Sequence, residues 1–248
     1  MIILKSRREV DLIRESGRIL AHALESLEHR IVPGAELKEI EDSVTEFIHQ
    51  HGATPAFKGY KGFPGAICIS VNDEVVHGIP DKRRLCEGDI VSIDIGVSKG
   101  GYYSDGARTF PVGAISAQAR KLLEVTEAAL HEGIAKAVEG NRLSDISWAI
   151  QSYVEKHGFS IVRELTGHGI GRALHEAPSI PNFGPPGKGP LLREGMVLAI
   201  EPMVNAGNPE TFTCDDGWTV KSKDGSLSAH FEHTLWVRKG KALILTLP

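Results

Sequence analysis

Asp94, Asp105, Glu201 and Glu232 are the side chains of this 248-residue sequence best placed to do chemistry, because each falls inside a segment that reads as a β-strand. Val91, Ile93, Ile95 and Val97 alternate with Ser92, Asp94 and Gly96, so Asp94 belongs to one polar strand face. Asp105 lies in the following strand, and a connection turning about Lys99-Gly100 sets it directly opposite Asp94. Opposed residues have Cβ atoms about 4.5–5.5 Å apart, where two carboxylates repel unless a proton or a cation lies between them. A dinuclear metal site supplies that cation, since metals about 3.5–4 Å apart share bridging carboxylates. Two solvated hairpin acids near Lys99, or a turn one residue longer, are the competing reading.

The C-terminal part of the chain repeats the pattern. Glu201 follows the apolar run Met196–Ile200, and Glu232 alternates with Phe231 and His233. A charge in such surroundings is costly to bury alone, so the choice lies between ion pairs with Lys or Arg and a shared metal. His168 stands in the glycine-rich stretch Thr166-Gly167-His168-Gly169-Ile170-Gly171, where backbone can approach a site closely. Four carboxylates and one imidazole suit divalent Mn, Fe, Co or Zn, and the four negative charges balance two such cations. His77 and His175 are surface residues or, beside metals, donors to a carbonyl and its developing oxyanion.

These residues need a frame to bring them together. Leu37, Ile40, Val44, Phe47 and Ile48 recur at helical spacing, as do Leu143, Ile146, Ile150, Tyr153 and Val154. Val32, Gly34, Leu37, Ile40, His51 and Gly52 all recur as the same residue type 106 positions later, at Val138, Gly140, Leu143, Ile146, His157 and Gly158. The register points to one domain over residues 1–248 built by duplication, with approximate halves 1–113 and 114–248. His51-Gly52 and His157-Gly158 are assigned to helix ends. Strands follow each helical pair: 66–71, 89–97 and 101–110, then 196–204, 217–221 and 228–237. Helices in runs and strands in runs give an α+β class with a mostly antiparallel sheet, and the loop 178–190 is expected at one rim.

Composition narrows the function. The chain is 41% hydrophobic and 24% charged, which excludes a disordered protein or a coiled coil. Its net charge of −4 argues against specific nucleic-acid binding or broad capture by an anionic membrane. Cys68, Cys86 and Cys214 are isolated, so neither a disulfide framework nor a cysteine zinc site is indicated, and a cytoplasmic location fits. No apolar run approaches a membrane span, and none marks an export signal.

Asp94, Asp105, His168, Glu201 and Glu232, with the stretches Cys68-Ile69-Ser70-Val71-Asn72, Gly167-His168-Gly169-Ile170-Gly171, Glu201-Pro202 and Asp216-Gly217-Trp218-Thr219, closely resemble the type I methionine aminopeptidases. The resemblance runs through essentially the whole chain, in the bacterial form without an N-terminal extension. It implies the pita-bread fold: two pseudo-symmetric halves, with a curved, mostly antiparallel sheet covered by helices, around two divalent cations. Asp94 then chelates one metal, Asp105 and Glu232 bridge, and His168 and Glu201 complete the other. Glu201 is the candidate for proton transfer, His175 for the oxyanion and His77 for the substrate backbone. Tyr60, Phe63, Cys68, His77 and Trp218 surround the methionine side chain, with Phe57 and Leu174 beside them.

The substrates so implied are N-terminal methionyl peptides and nascent chains, with transient ribosome contact and a monomeric enzyme. Proline-specific aminopeptidases and creatinase-like hydrolases share the fold but usually carry a further N-terminal domain, and type II enzymes have an insertion for which the 33 positions from His168 to Glu201 leave no room. A non-enzymatic binding protein on the same fold is the reading from a different class. Crowding beyond the scissile bond selects small second residues in this family. The second residue here is Ile2, so the native protein is expected to keep Met1; an intact mass lacking that methionine contradicts the specificity.

Overall fold

The N-terminal run of elements in the computed structural model, which describes all 248 residues, is α1 (Arg7–Ser26), α2 (Leu37–Gln50), β1 (Thr54–Pro55), β2 (Cys68–Val71), β3 (Glu74–Val76), β4 (Ile90–Lys99) and β5 (Tyr102–Pro111). The C-terminal run is α3 (Ala117–Lys136), α4 (Leu143–Lys156), β6 (Ser160–Ile161), β7 (Thr166–Gly169), β8 (Glu176–Pro181), β9 (Val197–Ile200), β10 (Met203–Asn205), β11 (Thr211–Thr213), β12 (Val220–Ser222), β13 (Ser228–His230), β14 (His233–Trp236) and β15 (Leu243–Ile244). Every pairing between these strands is antiparallel. β4 carries β1, β2 and β5, while β15-β14-β9-β7-β8 form the largest sheet.

Local chemistry starts and stops the helices. The Ser6 hydroxyl accepts the Glu9 N–H and the Glu9 carboxylate accepts the Ser6 N–H, a reciprocal cap that opens α1. Ser116 caps α3 through the Ala119 N–H. α2 and α4 are both 14 residues long and stop alike. The ring nitrogen Nδ1 of His51 lies 2.8 Å from the Phe47 carbonyl, that of His157 lies 2.7 Å from the Tyr153 carbonyl, and Gly52 and Gly158 follow with φ of 66° and 84°. Leu20, Ile40, Val44 and Ile48 pack on Ile93 and Ile95, and Leu122, Leu130, Ile146 and Ile150 belong to the core with Leu198, Ile200 and Leu235. A third apolar cluster, including Ile13, Phe57, Phe63, Leu174 and Trp236, draws on both runs.

The two runs are joined where β3 pairs with β12 and along a seam between β5 and the segment 230–234. The Glu232 N–H donates to the Ala107 carbonyl at 2.9 Å. Two residues away on either side, threonine hydroxyls stand in for the ladder. Thr234 Oγ1 accepts the Asp105 N–H at 3.0 Å and donates to the Asp105 carbonyl at 2.8 Å, while Thr109 Oγ1 accepts the His230 N–H at 2.9 Å and reaches the His230 carbonyl at 2.8 Å. The spacing is that of a continuous antiparallel register from Asp105/Thr234 to Thr109/His230.

Strand details differ from the sequence reading in three places. The β4–β5 hairpin turns on Gly100-Gly101, both at positive φ, so Lys99 closes against Tyr102. Asp94 therefore faces Ala107 and Asp105 faces Gly96, and the two acids are diagonal neighbours instead of directly opposed. The shift is by an even number of residues, which keeps both on one face. Residues 196–204 and 228–237 each break in two, at Glu201-Pro202 and Phe231-Glu232, because their first and second parts pair in different sheets and Pro202 has no N–H to give. Residues 217–219 do not extend β12, since Asp216 Oδ1 takes the Trp218 and Thr219 N–H groups at 2.8 Å in a turn.

The 178–190 segment is a loop only in part. Residues 178–181 belong to β8, and the remainder binds the start of α4, where Ser144 and Asp145 accept the Lys188 and Gly187 N–H groups. Replacing Thr234 with valine removes the hydroxyl and leaves the Asp105 N–H and carbonyl buried without it. A loss of about 1–3 kcal/mol in urea-induced unfolding is expected, with little change in the slope of the transition.

Candidate active site

Strand ends and strand breaks aim the acids at one point. Asp94 projects from β4 and Asp105 from β5, while Glu201 and Glu232 occupy the breaks at β9–β10 and β13–β14. His233 pairs with Ile200 on one side of those breaks and His230 with Met203 on the other, so Glu201 and Glu232 sit across from each other where the ladder is interrupted. His168 comes from β7. Its Nδ1 is 2.9 Å from the Gly169 carbonyl, which fixes that nitrogen as the donor and leaves Nε2 free, 3.7 Å from Asp105 Oδ2 and 3.6 Å from Glu201 Oε1. Donor atoms of Asp105, His168 and Glu232 lie within 4.8 Å of one another, as do those of Glu201, His230 and Glu232. Asp94 belongs to neither triad but lines the same cavity.

Burial dominates the electrostatics. It pushes the Asp94 and Glu232 carboxyls well above their usual range, and the neighbouring acids push them further. Burial, with Asp105 adding to it, lifts Glu201 to about 8 against an opposing pull from His168. His168 itself is raised, because Asp105 and Glu201 outweigh its burial. No Lys or Arg forms an ion pair with any of the four acids. Asp94 Oδ1, Glu232 Oε1 and His230 Nε2 are buried and make no hydrogen bond. Orphaned oxygens without a cationic side chain fit a divalent metal, and the donor set of carboxylate and imidazole is the one such ions take.

The cavity above the acids has a volume of about 210 Å³ and is walled by Phe57, Tyr60, Phe63, Cys68, His77, Leu174, His175 and Trp218, with Lys61 also lining it. Thus every residue singled out in the sequence for substrate contact lines the same space as the five ligand candidates. Phe63 meets Trp218 edge-on at 5.3 Å, and His175 lies between Tyr60, stacked at 5.3 Å, and His168 at 4.1 Å. Gly96 lets the Phe57 ring approach β4, since a Cβ there would collide with it. His77 holds a left-handed backbone, φ 59°, strain of the kind kept where a side chain must be aimed. Burial lowers the His77 imidazole and, with His168, brings His175 down to about 4, so both are neutral near pH 7.

The loop bearing His175 is tied down by the next residue. Glu176 Oε1 accepts the Arg172 and Ala173 N–H groups at 2.7 and 3.2 Å, and Oε2 meets the nearly buried Lys5 ammonium at 2.5 Å. Two residues escaped the sequence reading, Lys61 in the cavity wall and His230 beside the acids. Lys61 sits in an exposed turn with nothing periodic to mark it. His230 had a usable signal, because it alternates with Glu232 on the segment that carries that acid.

Without metal, the raised acids make stability depend on pH. Glu201 binds its proton more tightly folded than unfolded, so its contribution is complete below pH 4.5 and is lost as pH rises through about 8. His168 acts in the same direction. His175 and His230, depressed to about 4 and about 3, run the other way: their contribution is complete above pH 6.5 and is lost on acidification. Between pH 6.5 and 8 the raised groups, Glu201 and His168, therefore act unopposed. The melting temperature of metal-free protein is expected to fall by a few degrees across that window, and saturating divalent metal to flatten the slope. Scanning calorimetry of both forms at matched ionic strength checks this; equal slopes contradict it.

Residues 11–239 match metallopeptidase family M24. The chain is 55% identical over 247 residues to a methionine aminopeptidase of Clostridium perfringens, covering 100% of this chain and 99% of that one. The crystal structure of methionine aminopeptidase from Rickettsia prowazekii superposes with a TM-score of 0.98 at 44% identity, with full coverage of both chains. Prolidase from Pyrococcus furiosus has a TM-score of 0.81 at 24% identity, with 99% of this chain and 66% of the prolidase covered, a likeness of fold alone. No helix is long and apolar enough to cross a membrane. The architecture is the pita-bread fold, and the chain belongs to metallopeptidase family M24, among the bacterial-type methionine aminopeptidases.

Proposed function

We propose that this chain is a single catalytic domain over residues 1–248, with duplicated halves 1–113 and 114–248, that removes N-terminal methionine from peptides and nascent chains whose second residue is small. The observation that carries the reading is the convergence of four carboxylates and His168, unpaired with any Lys or Arg, on the floor of a pocket one residue in size. Asp94, Asp105, His168, Glu201 and Glu232 hold two divalent cations drawn from Mn, Fe, Co and Zn. The chemistry such metal supplies when bound is acidification of a water toward neutral pH and polarisation of the scissile carbonyl.

The chain's own residues do the rest. Glu201, a carboxylate at the edge of the metal site, takes the proton of the attacking water and passes it to the leaving amine. His175 is neutral, so it donates a hydrogen bond to the developing oxyanion without adding charge. His77 orients the substrate backbone. Tyr60, Phe63, Cys68 and Trp218 enclose the flexible, polarizable methionine side chain. The enzyme acts as a monomer in the cytoplasm, meeting its substrates at the ribosome.

Hydrolysis of Met-Ala-Ser and of Xaa-Pro peptides, with and without chelator, tests the reading. Metal-dependent cleavage of Met-Ala-Ser is expected, N-acetylation of that peptide abolishes it, and His175→Ala lowers kcat by about 10²–10³-fold. Cleavage confined to Xaa-Pro peptides supports a prolidase-like enzyme instead, and no cleavage with any metal supports a binding protein.

A further inference from the structure

His230 is not among the five ligand candidates, yet its surroundings are those of a ligand. It is 1% exposed, and its Nε2 makes no hydrogen bond. That nitrogen lies 3.7 Å from Glu201 Oε2. The separation is too long for a hydrogen bond. It matches the 3.6 and 3.7 Å that part His168 Nε2 from Glu201 Oε1 and Asp105 Oδ2. Two donors each about 2.0–2.2 Å from a shared cation stand at about this spacing. The two oxygens of Glu201 thus face two different imidazoles. Five of the six groups fall into two triads, Asp105-His168-Glu232 and Glu201-His230-Glu232, that share Glu232.

The backbone aims His230 as firmly as the ligands beside it. Its N–H and carbonyl are both held by Thr109 Oγ1, and the same strand pairs it with Met203, two residues from Glu201. An uncompensated buried imidazole nitrogen costs stability unless something binds it. The carboxylate nearest to it, that of Glu201, offers only acceptor oxygens. A cation is the partner that satisfies the nitrogen and the oxygens together.

From this geometry we infer that His230 is a metal ligand, giving the centre a second imidazole and one nitrogen donor for each of two cations. This deepens the metal-site reading above and rests on it. A second imidazole moves the donor set from hard toward borderline, so the centre favours Co, Fe or Zn over Mn more than five ligands alone would.

X-ray absorption of protein carrying two equivalents of Co(II) counts the imidazoles directly. The expected average is about one imidazole per cobalt in the unaltered protein and about half that in His230→Gln, whose side chain keeps a hydrogen-bond donor; His230→Asn serves if that variant does not fold. Mn(II) competition should weaken in the unaltered protein relative to the variant, and the second cobalt equivalent should bind about 10–100-fold less tightly to the variant. Uptake of two cobalts with half an imidazole each, or a count unchanged by His230→Gln, overturns the assignment. Failure to take up cobalt at all removes the metal-site reading itself, independently of any activity measurement.

Discussion

The seam between Asp105–Thr109 and His230–Thr234 is the constraint on which the rest of the structure depends. A continuous strand pair there would use every backbone group in its ladder. Instead, one direct bond from Glu232 to Ala107 is flanked by two threonine hydroxyls that each bridge an N–H and a carbonyl. The hydroxyls keep the chains in register where direct ladder bonds are missing, and Asp105 and Glu232 both line the pocket beside the seam. These few bonds between the N- and C-terminal runs therefore fix two of the acids from opposite sides of the seam.

Concentrating negative charge at that join is unfavourable for the isolated polypeptide. Burial raises the proton affinity of Asp94, Glu201 and Glu232, so the metal-free fold tolerates them by keeping protons. Metal exchanges with those protons, which couples the stability of the fold to loading of the site. The two large apolar clusters on either side supply the rigidity that holds the acids together against repulsion. The helices, although far from the chemistry, act on it through that packing.

The histidines divide by environment. His51 and His157 close helices through their own backbone contacts. His77 and His175 stay neutral, one on a strained backbone and the other between two rings, which suits them to hydrogen bonding without charge. His168 is drawn toward protonation by carboxylates that a metal would otherwise occupy. One residue type thus serves as cap, donor and ligand because burial and neighbouring charge differ from site to site. The Glu176 carboxylate, seated on Lys5 near the chain's N-terminus, shows that the loop presenting His175 depends on contacts far away in sequence.

Periodicity and repetition along the chain were enough to define α2 and α4, the helix-ending His-Gly pairs, the α+β class and the face shared by Asp94 and Asp105, because helix and strand periods are local properties of neighbouring residues. The four acids and His168, with the pocket residues, were also legible, chiefly through a motif pattern that resembles a known family. Three matters were left to tertiary structure. The hairpin register depends on which two glycines take positive φ, and that choice needs both strands in place. The breaks at Glu201-Pro202 and Phe231-Glu232 arise because one segment pairs with two sheets, which no single segment encodes. His230 had its alternation with Glu232 on display, but a buried nitrogen acquires meaning only when Glu201, 29 positions earlier in the chain, is folded to within 3.7 Å of it.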